Sequence, residues 1–172
     1  MPVNRDLYRA ISGSFPTGVL IVATLDENKA PKGLLTQAYI GLSTDPPLIL
    51  ISIDKTSRTL RALQKRRAFV INFLREGAED LATLFASKSE EKFRDVRWEP
   101  SAEADGSPIL RDASVAYAAC RVTEMREAGD HWIFVGSVEA GAVFGGTPLM
   151  YYRRTYAAWT TERPAPSVEE IG

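Results

Sequence analysis

Groups that bind phosphate are concentrated in one short stretch of the sequence, residues 54–59. The stretch reads Asp54-Lys55-Thr56-Ser57-Arg58-Thr59, so two cations and three hydroxyls stand at the predicted start of a helix. Cationic side chains bind phosphate, and the free N–H groups of a first helical turn favour an anion as well. In the simpler alternative, Ser57 only caps the helix and the charges face water. The stretch taken alone favours that simpler alternative, and both stay open.

Two further polar segments could face a ligand. In the first, Thr36, Gln37 and Tyr39 follow one another shortly before a Pro-Pro turn, so their backbone and polar groups can lie at the rim of a barrel. In the second, His131 lies where a turn meets a strand. A lone histidine at such a junction can position a ligand, or it can be a surface or capping residue.

The sequence contains few residues that could support hydrolytic, thiol-dependent, metal-dependent or NTPase catalysis. A hydrolytic triad would have to use His131, the single histidine, and no Gly-x-Ser-x-Gly motif is present. Cys120, the single cysteine, lies in an alternating strand pattern, which predicts a buried, unreactive thiol. One histidine and one cysteine can hardly build a metal cage, so we expect no metal site. A phosphate loop of the Walker type is also missing, which disfavours an NTPase.

Length, charge and composition predict one ordinary globular domain. The chain has 172 residues, of which 45% are apolar and 25% are charged. Because 21 Lys and Arg balance 22 Asp and Glu, we expect no nucleic-acid partner and no basic membrane patch. A single cysteine, a charged N-terminus and apolar stretches too short to span a bilayer together predict a cytoplasmic protein without a membrane partner.

Hydrophobic periodicity predicts a mainly β protein with short helices inserted between the strands. The predicted helices cover residues 6–14, 58–65, 78–85 and 89–93. The predicted strands cover residues 19–25, 31–39, 48–53, 68–74, 117–126, 132–142 and 149–152. The third of them is almost continuously apolar, which predicts burial on both faces. Such an order favours a closed or nearly closed antiparallel barrel over a doubly wound sheet.

Seven segments, in order, resemble one known family. They are Phe15-Pro16-Thr17-Gly18-Val19; Leu42-Ser43-Thr44-Asp45-Pro46-Pro47-Leu48; Ser57-Arg58-Thr59; Phe69-Val70-Ile71-Asn72-Phe73-Leu74; Leu84-Phe85-Ala86 with Lys92-Phe93 and Trp98; Gly129-Asp130-His131 with Val135-Gly136-Ser137-Val138; and Pro148-Leu149-Met150-Tyr151-Tyr152-Arg153 with Tyr156. The chain is therefore similar to the flavin reductase-like family of FMN-binding split barrels, the small reductase partners of two-component flavin monooxygenases.

The resemblance implies a fold and an activity. The fold would be an antiparallel Greek-key split barrel over residues 1–160, homodimeric, with a flexible tail at 161–172. The activity would be that of an NADH- or NADPH-dependent reductase of FMN or FAD, which hands the reduced flavin by diffusion to a partner monooxygenase.

The resemblance also implies which residues form the site. Thr36, Gln37 and Ala38 would face the flavin ring, and His131 would position the nicotinamide. The remaining expected flavin-binding residues are Lys55, Ser57, Arg58, Thr59, Lys92 and Phe93.

In the flavin strand the chain departs from the family's pattern. Leu35 stands where the family has a threonine, and Gln37 stands where it has a small polar residue. Two alternatives therefore stay open beside the reductase. One is an oxidoreductase of the same fold that retains its flavin, and the other is a non-catalytic split-barrel module whose pocket Leu35 and Gln37 fill.

Overall fold

The computed structural model describes residues 1–159, and the predicted tail at 161–172 lies outside the described residues. Three helices and twelve strands occur in that part of the chain. The helices are α1 (Arg5–Ser12), α2 (Leu60–Arg66) and α3 (Glu79–Ala86). The strands are β1 (Thr17–Gly18), β2 (Leu20–Leu25), β3 (Pro31–Thr36), β4 (Tyr39–Thr44), β5 (Pro47–Asp54), β6 (Ala68–Leu74), β7 (Glu99–Pro100), β8 (Pro108–Ile109), β9 (Ser114–Ala128), β10 (His131–Val143), β11 (Leu149–Tyr152) and β12 (Thr155–Ala158).

Seven antiparallel strands form one sheet that closes on itself. Their order is β3-β2-β6-β9-β10-β5-β4, so the two edge strands are also consecutive in the chain. Only Gln37 and Ala38 connect these edges, and so short a link spans about 10 Å. The edges must therefore meet at this point. The amide of Ser52 in β5 donates to the carbonyl of Ala38 at 3.3 Å, which extends the pairing of β4 and β5 into the link. The predicted antiparallel split barrel is confirmed.

The core has two main parts because β2 is buried on both faces. Leu20 and Val22 point into the barrel, among the buried residues of β5, β6, β9 and β10. Ile21 and Ala23 point the other way, into a second cluster with residues of α3 and the loop that follows it. This second cluster fastens α3 and Phe93 to the outside of the barrel. Within residues 1–159 no helix is long and apolar enough to cross a membrane.

Three predicted elements differ from the structure. The strand predicted over 31–39 breaks after Thr36, because the chain passes there from one edge of the barrel to the other. The helix predicted over 89–93 is an irregular segment with a turn that begins at Lys92, since Phe93 packs into the second cluster and tertiary contacts override local propensity. Ser57 does not cap α2; Thr59 occupies the capping position, without a side-chain hydrogen bond.

The outer face of β5 also differs from the prediction. Ile49, Ile51 and Ile53 are buried in the barrel, but Leu48 and Leu50 on the other face are only half-buried. The prediction of burial on both faces is therefore wrong for the single chain. An apolar outer face remains, and no other part of residues 1–159 covers it fully.

Candidate functional site

Within residues 1–159, Lys92 is a half-buried cation without a carboxylate partner. Its ammonium donates to the carbonyl of Phe85 at 2.7 Å, at the end of α3, and to the carbonyl of Gly33 in β3 at 3.4 Å. It makes no ion pair within residues 1–159. An ammonium has three donors, so one donor and the whole charge are left for a further group.

Burial and a neighbouring cation both act on Lys92. Desolvation lowers the pKa of its ammonium, and the positive charge of Arg58 lowers it further. Both causes disfavour a positive charge at this point, and an anion bound there would relieve them. The surroundings of Lys92 are therefore suited to an anionic group such as a phosphate.

Gly33 makes the position of Lys92 possible. A Cβ atom on Gly33 would lie 2.6 Å from Cε1 of Phe85 and 3.2 Å from Cε2 of Phe93. Only a glycine lets these rings approach the strand without a shift. The rings of Phe85 and Phe93 meet edge to face, with centroids 5.0 Å apart, and Trp98 packs on the far side of Phe93. Phe93 is thus a core residue that fixes the chain beside Lys92.

The segment 57–59 lies against the loop that carries Lys92. Nη1 of Arg58 pairs with Glu90 at 2.7 Å, and Nη2 donates to the carbonyl of Lys88. Thr59 is only 5% exposed, and its amide donates to the hydroxyl of Ser57 at 3.3 Å. Because α2 has seven residues, the hydroxyls and cations, not the helix dipole, are the groups that favour an anion here.

Thr36 ends β3, and Gln37 and Ala38 link it to β4 at the other edge of the barrel. The hydroxyl of Thr36 accepts a hydrogen bond from the amide of Ala38 at 3.1 Å, which fixes the bend. Gln37 is half-buried and Ala38 is exposed, so this part of the rim is open to a ligand. Leu35 packs into the second cluster with Phe85 and Phe93.

Lys55, which directly follows β5, and His131, the first residue of β10, form a separate group beside the turn between β9 and β10. Nζ of Lys55 pairs with Glu127 at 2.8 Å, and its amide donates to the carbonyl of Asp130 at 3.0 Å. Nδ1 of His131 lies 2.7 Å from the carboxylate of Asp130, and this contact holds the pKa of Asp130 below its usual range. The hydrogen bond that Nδ1 of His131 donates to the carboxylate of Asp130 fixes the orientation of the imidazole ring.

The residues that were predicted to bind the phosphate therefore fall into two groups in the structure. Ser57, Arg58 and Thr59 join Lys92, whereas the ammonium of Lys55 is directed to Glu127. The contact of Asp130 with the imidazole of His131 was not predicted, although the two residues are neighbours in the sequence. No role was predicted for Gly33 either, although it lets the rings of Phe85 and Phe93 approach β3. The available signal was a glycine shortly before Thr36 and Gln37 in the strand predicted over 31–39.

Two other features lie outside this site. A cleft of about 630 Å³ between the start of α3, residues 95–97 and residues 110–113 contains none of the predicted site residues. Cys120 is fully buried in the barrel, and burial raises the pKa of its thiol to about 12. It is not available as a nucleophile, as the alternating pattern predicts.

Comparisons with known proteins agree on one family. The family model described as flavin reductase like domain matches residues 12–160. A flavin reductase (NADH) of Kitasatospora aureofaciens is 44% identical over 93% of this chain and 84% of its own length. The reductase subunit HsaB of a flavin-dependent monooxygenase from Mycobacterium tuberculosis is 33% identical over 96% of this chain and 88% of its own length.

A solved structure agrees with them. The NADH:FAD oxidoreductase SgcE6 of Streptomyces globisporus C-1027, in complex with NAD and FAD fragments, superimposes with a TM-score of 0.86. It is 27% identical to this chain and covers 94% of it and 96% of its own chain.

Proposed function

The chain belongs to the flavin reductase-like family, and from this premise we propose how its residues serve the reduction of a flavin by NADH or NADPH. The protein is an NAD(P)H:flavin oxidoreductase that supplies reduced flavin to a partner monooxygenase. When bound, FMN or FAD supplies a ring that takes a hydride from the nicotinamide, and that transfer needs no acid or base from the protein. The chain's own task is to hold and align the two cofactors.

The observation that carries the proposal is the half-buried ammonium of Lys92. With no carboxylate beside it in residues 1–159 and with Arg58 nearby, it fits the phosphate of a flavin nucleotide. Ser57 and Thr59 add hydroxyl donors on the adjacent segment. Phe93 takes part by fixing the loop, because its ring is buried between Phe85 and Trp98.

The barrel rim takes the ring of the flavin. Thr36, Gln37 and Ala38 lie at the closure of the barrel, next to the strand whose Gly33 carbonyl binds Lys92. A ligand held at Lys92 by its phosphate can therefore reach the rim with its ring. Leu35 is engaged in the second cluster, so no observation favours the alternative in which it fills the pocket.

His131 orients the nicotinamide. Asp130 fixes the imidazole, and Lys55 ties the turn to the end of β5 through its amide. Hydride transfer requires the nicotinamide to be aligned with the flavin, and an imidazole with a fixed orientation can supply that alignment.

A homodimer would cover the outer apolar face of the barrel. Ile40, Leu50 and Val135 lie opposite one another on three neighbouring strands and point away from the core. Ile40 and Leu42 are 55% and 47% exposed. Contiguous exposed apolar surface of this kind is typical of a subunit interface. The location we propose is the cytoplasm, where the nicotinamide substrate is supplied.

The test is nicotinamide oxidation with each flavin in turn. Loss of NADH or NADPH absorbance is followed with no flavin, riboflavin, FMN or FAD. We expect turnover only when a flavin is added. A folded protein that turns over with none of them would refute the assignment, and a protein that purifies yellow and turns over without addition would favour the enzyme that retains its flavin.

A further inference from the structure

The first helix, α1, has an apolar face that the rest of residues 1–159 leaves exposed. Helical spacing places Leu7, Tyr8 and Ile11 on one side of it, and its charged side chains on the other. Leu7 and Ile11 are 49% and 58% exposed, and no residue of α1 is buried. A helix of eight residues is too short to persist in water through its own hydrogen bonds. α1 therefore requires an apolar surface on which to pack.

A surface of this kind lies on the outside of the barrel. Ile40 pairs with Leu50 and Leu50 pairs with Val135, so apolar side chains lie next to one another across β4, β5 and β10. Leu42 and Leu48 extend this surface along β4 and β5. The outer patch, as we call it, consists of Ile40, Leu42, Leu48, Leu50 and Val135.

The helix and the outer patch both begin at the same end of the barrel. α1 joins the barrel through β1 and the start of β2, where Leu20 pairs with Thr36 at the rim. On the other edge, Ile40 lies two residues after Ala38 of the same rim. A two-fold axis near this end of the barrel can therefore bring the helix of each chain to the outer patch of the other.

The charges at the borders of the two surfaces are complementary. Glu124 pairs with Val135 and Arg126 pairs with Ile133, so an exposed acid and an exposed base lie beside the outer patch. On α1, Arg5 borders the apolar face next to Tyr8, and Asp6 borders it on the opposite side. Within residues 1–159 none of these four charged side chains makes an ion pair. Each surface can therefore offer opposite charges to the other.

We propose that α1 of one protomer packs on the outer patch of a second copy of this chain, and that the partner's α1 packs on the first protomer in return. Each chain carries one uncovered helix and one uncovered patch, so a two-fold dimer covers all four surfaces at once. The proposal rests on the homodimer proposed above, and it names the two surfaces that form it.

Two cysteine variants test which surfaces meet. I11C places an exposed thiol on α1 and I40C places one on the outer patch, while Cys120 does not compete because it is fully buried. The two proteins are mixed, left to exchange subunits, treated with a bifunctional maleimide and separated on a denaturing gel. We expect a covalent dimer only in the mixture. A covalent dimer formed by I40C alone would leave the homodimer in place but overturn the role of α1, and a product from I11C alone, or no product at all, also overturns the proposal.

Sedimentation equilibrium measures how much the contact contributes. I11E places a carboxylate in the proposed contact, and the matched control V143E places one at a residue that is 60% exposed at the far end of β10, outside both surfaces. We expect I11E to raise the dissociation constant of the dimer by about 10-fold or more, and V143E to change it by less than about 2-fold. An unchanged constant in I11E, or an equal rise in V143E, overturns the proposal. Failure of the reductase assignment would look different, because the unaltered protein would then form the dimer but not turn over.

Discussion

Replacing Lys92 by methionine removes the positive charge that is proposed to bind the flavin phosphate. Methionine keeps most of the length of the side chain beside Phe85 and loses the ammonium that donates to the carbonyls of Phe85 and Gly33. A hydrogen bond to a charged group contributes about 1.5–3 kcal/mol, so the dissociation constant of FMN should rise by about 10- to 100-fold. Riboflavin has no phosphate, and its affinity should change by less than about 3-fold.

The assay is the quenching of flavin fluorescence on titration with protein. The matched control is K88M, which removes the same charge from an exposed position of the same loop and leaves the backbone carbonyl that accepts from Arg58. Thermal unfolding of each variant shows whether the fold is retained. A folded K92M that binds FMN as tightly as the unaltered protein, or that loses affinity for FMN and riboflavin equally, would show that Lys92 does not bind the flavin phosphate.

Four further predictions concern the same site and its support. G33A should raise the dissociation constant of FMN and lower stability by about 1–3 kcal/mol, because its Cβ would overlap Phe85, whereas G18A, with open space around it, should do neither in parallel titration and melting experiments. H131A should raise KM for the nicotinamide substrate more than it raises the dissociation constant of the flavin; an equal rise in both would make the histidine structural. N72A should lower the free energy of unfolding by about 2–4 kcal/mol in urea, since the Asn72 side chain makes three hydrogen bonds to the backbone of two buried segments, β2 and residues 108–110, and a loss below about 1 kcal/mol would contradict this. FMN affinity should fall as pH rises through the lowered pKa of Lys92, before an ordinary lysine would lose its proton, while riboflavin affinity stays level; parallel pH profiles for the two flavins would contradict the assignment.

The strands could be predicted from the sequence because they are runs of apolar and β-branched residues. The strand predicted over 68–74 occurs at those residues, and so does the one predicted over 149–152. The short strand Thr155–Ala158 was missed, because it has only four residues and its hairpin turn consists of Arg153 and Arg154, both with positive φ. Arginine is rare at such positions, where glycine or asparagine is the usual signal.

The grouping of the site residues could not be read from the sequence. Lys55 and Arg58 are three residues apart, but Lys55 turns to Glu127 and Arg58 turns to Glu90. These partners are 72 and 32 positions away in the chain, so only the folded barrel decides which cation joins Lys92. Likewise, the carbonyl of Gly33 reaches Lys92 across 59 positions.

The assigned activity depends on one step, the transfer of a hydride from a nicotinamide nucleotide to a flavin. The most direct measurement is anaerobic: the protein is mixed with FMN or FAD and one equivalent of NADH or NADPH, and the absorbance of oxidised flavin is followed. We predict complete bleaching at a rate that increases with protein concentration, and return of the colour when air is admitted. Flavin that stays oxidised with both nucleotides, at the rate of the mixture without protein, would contradict the claim.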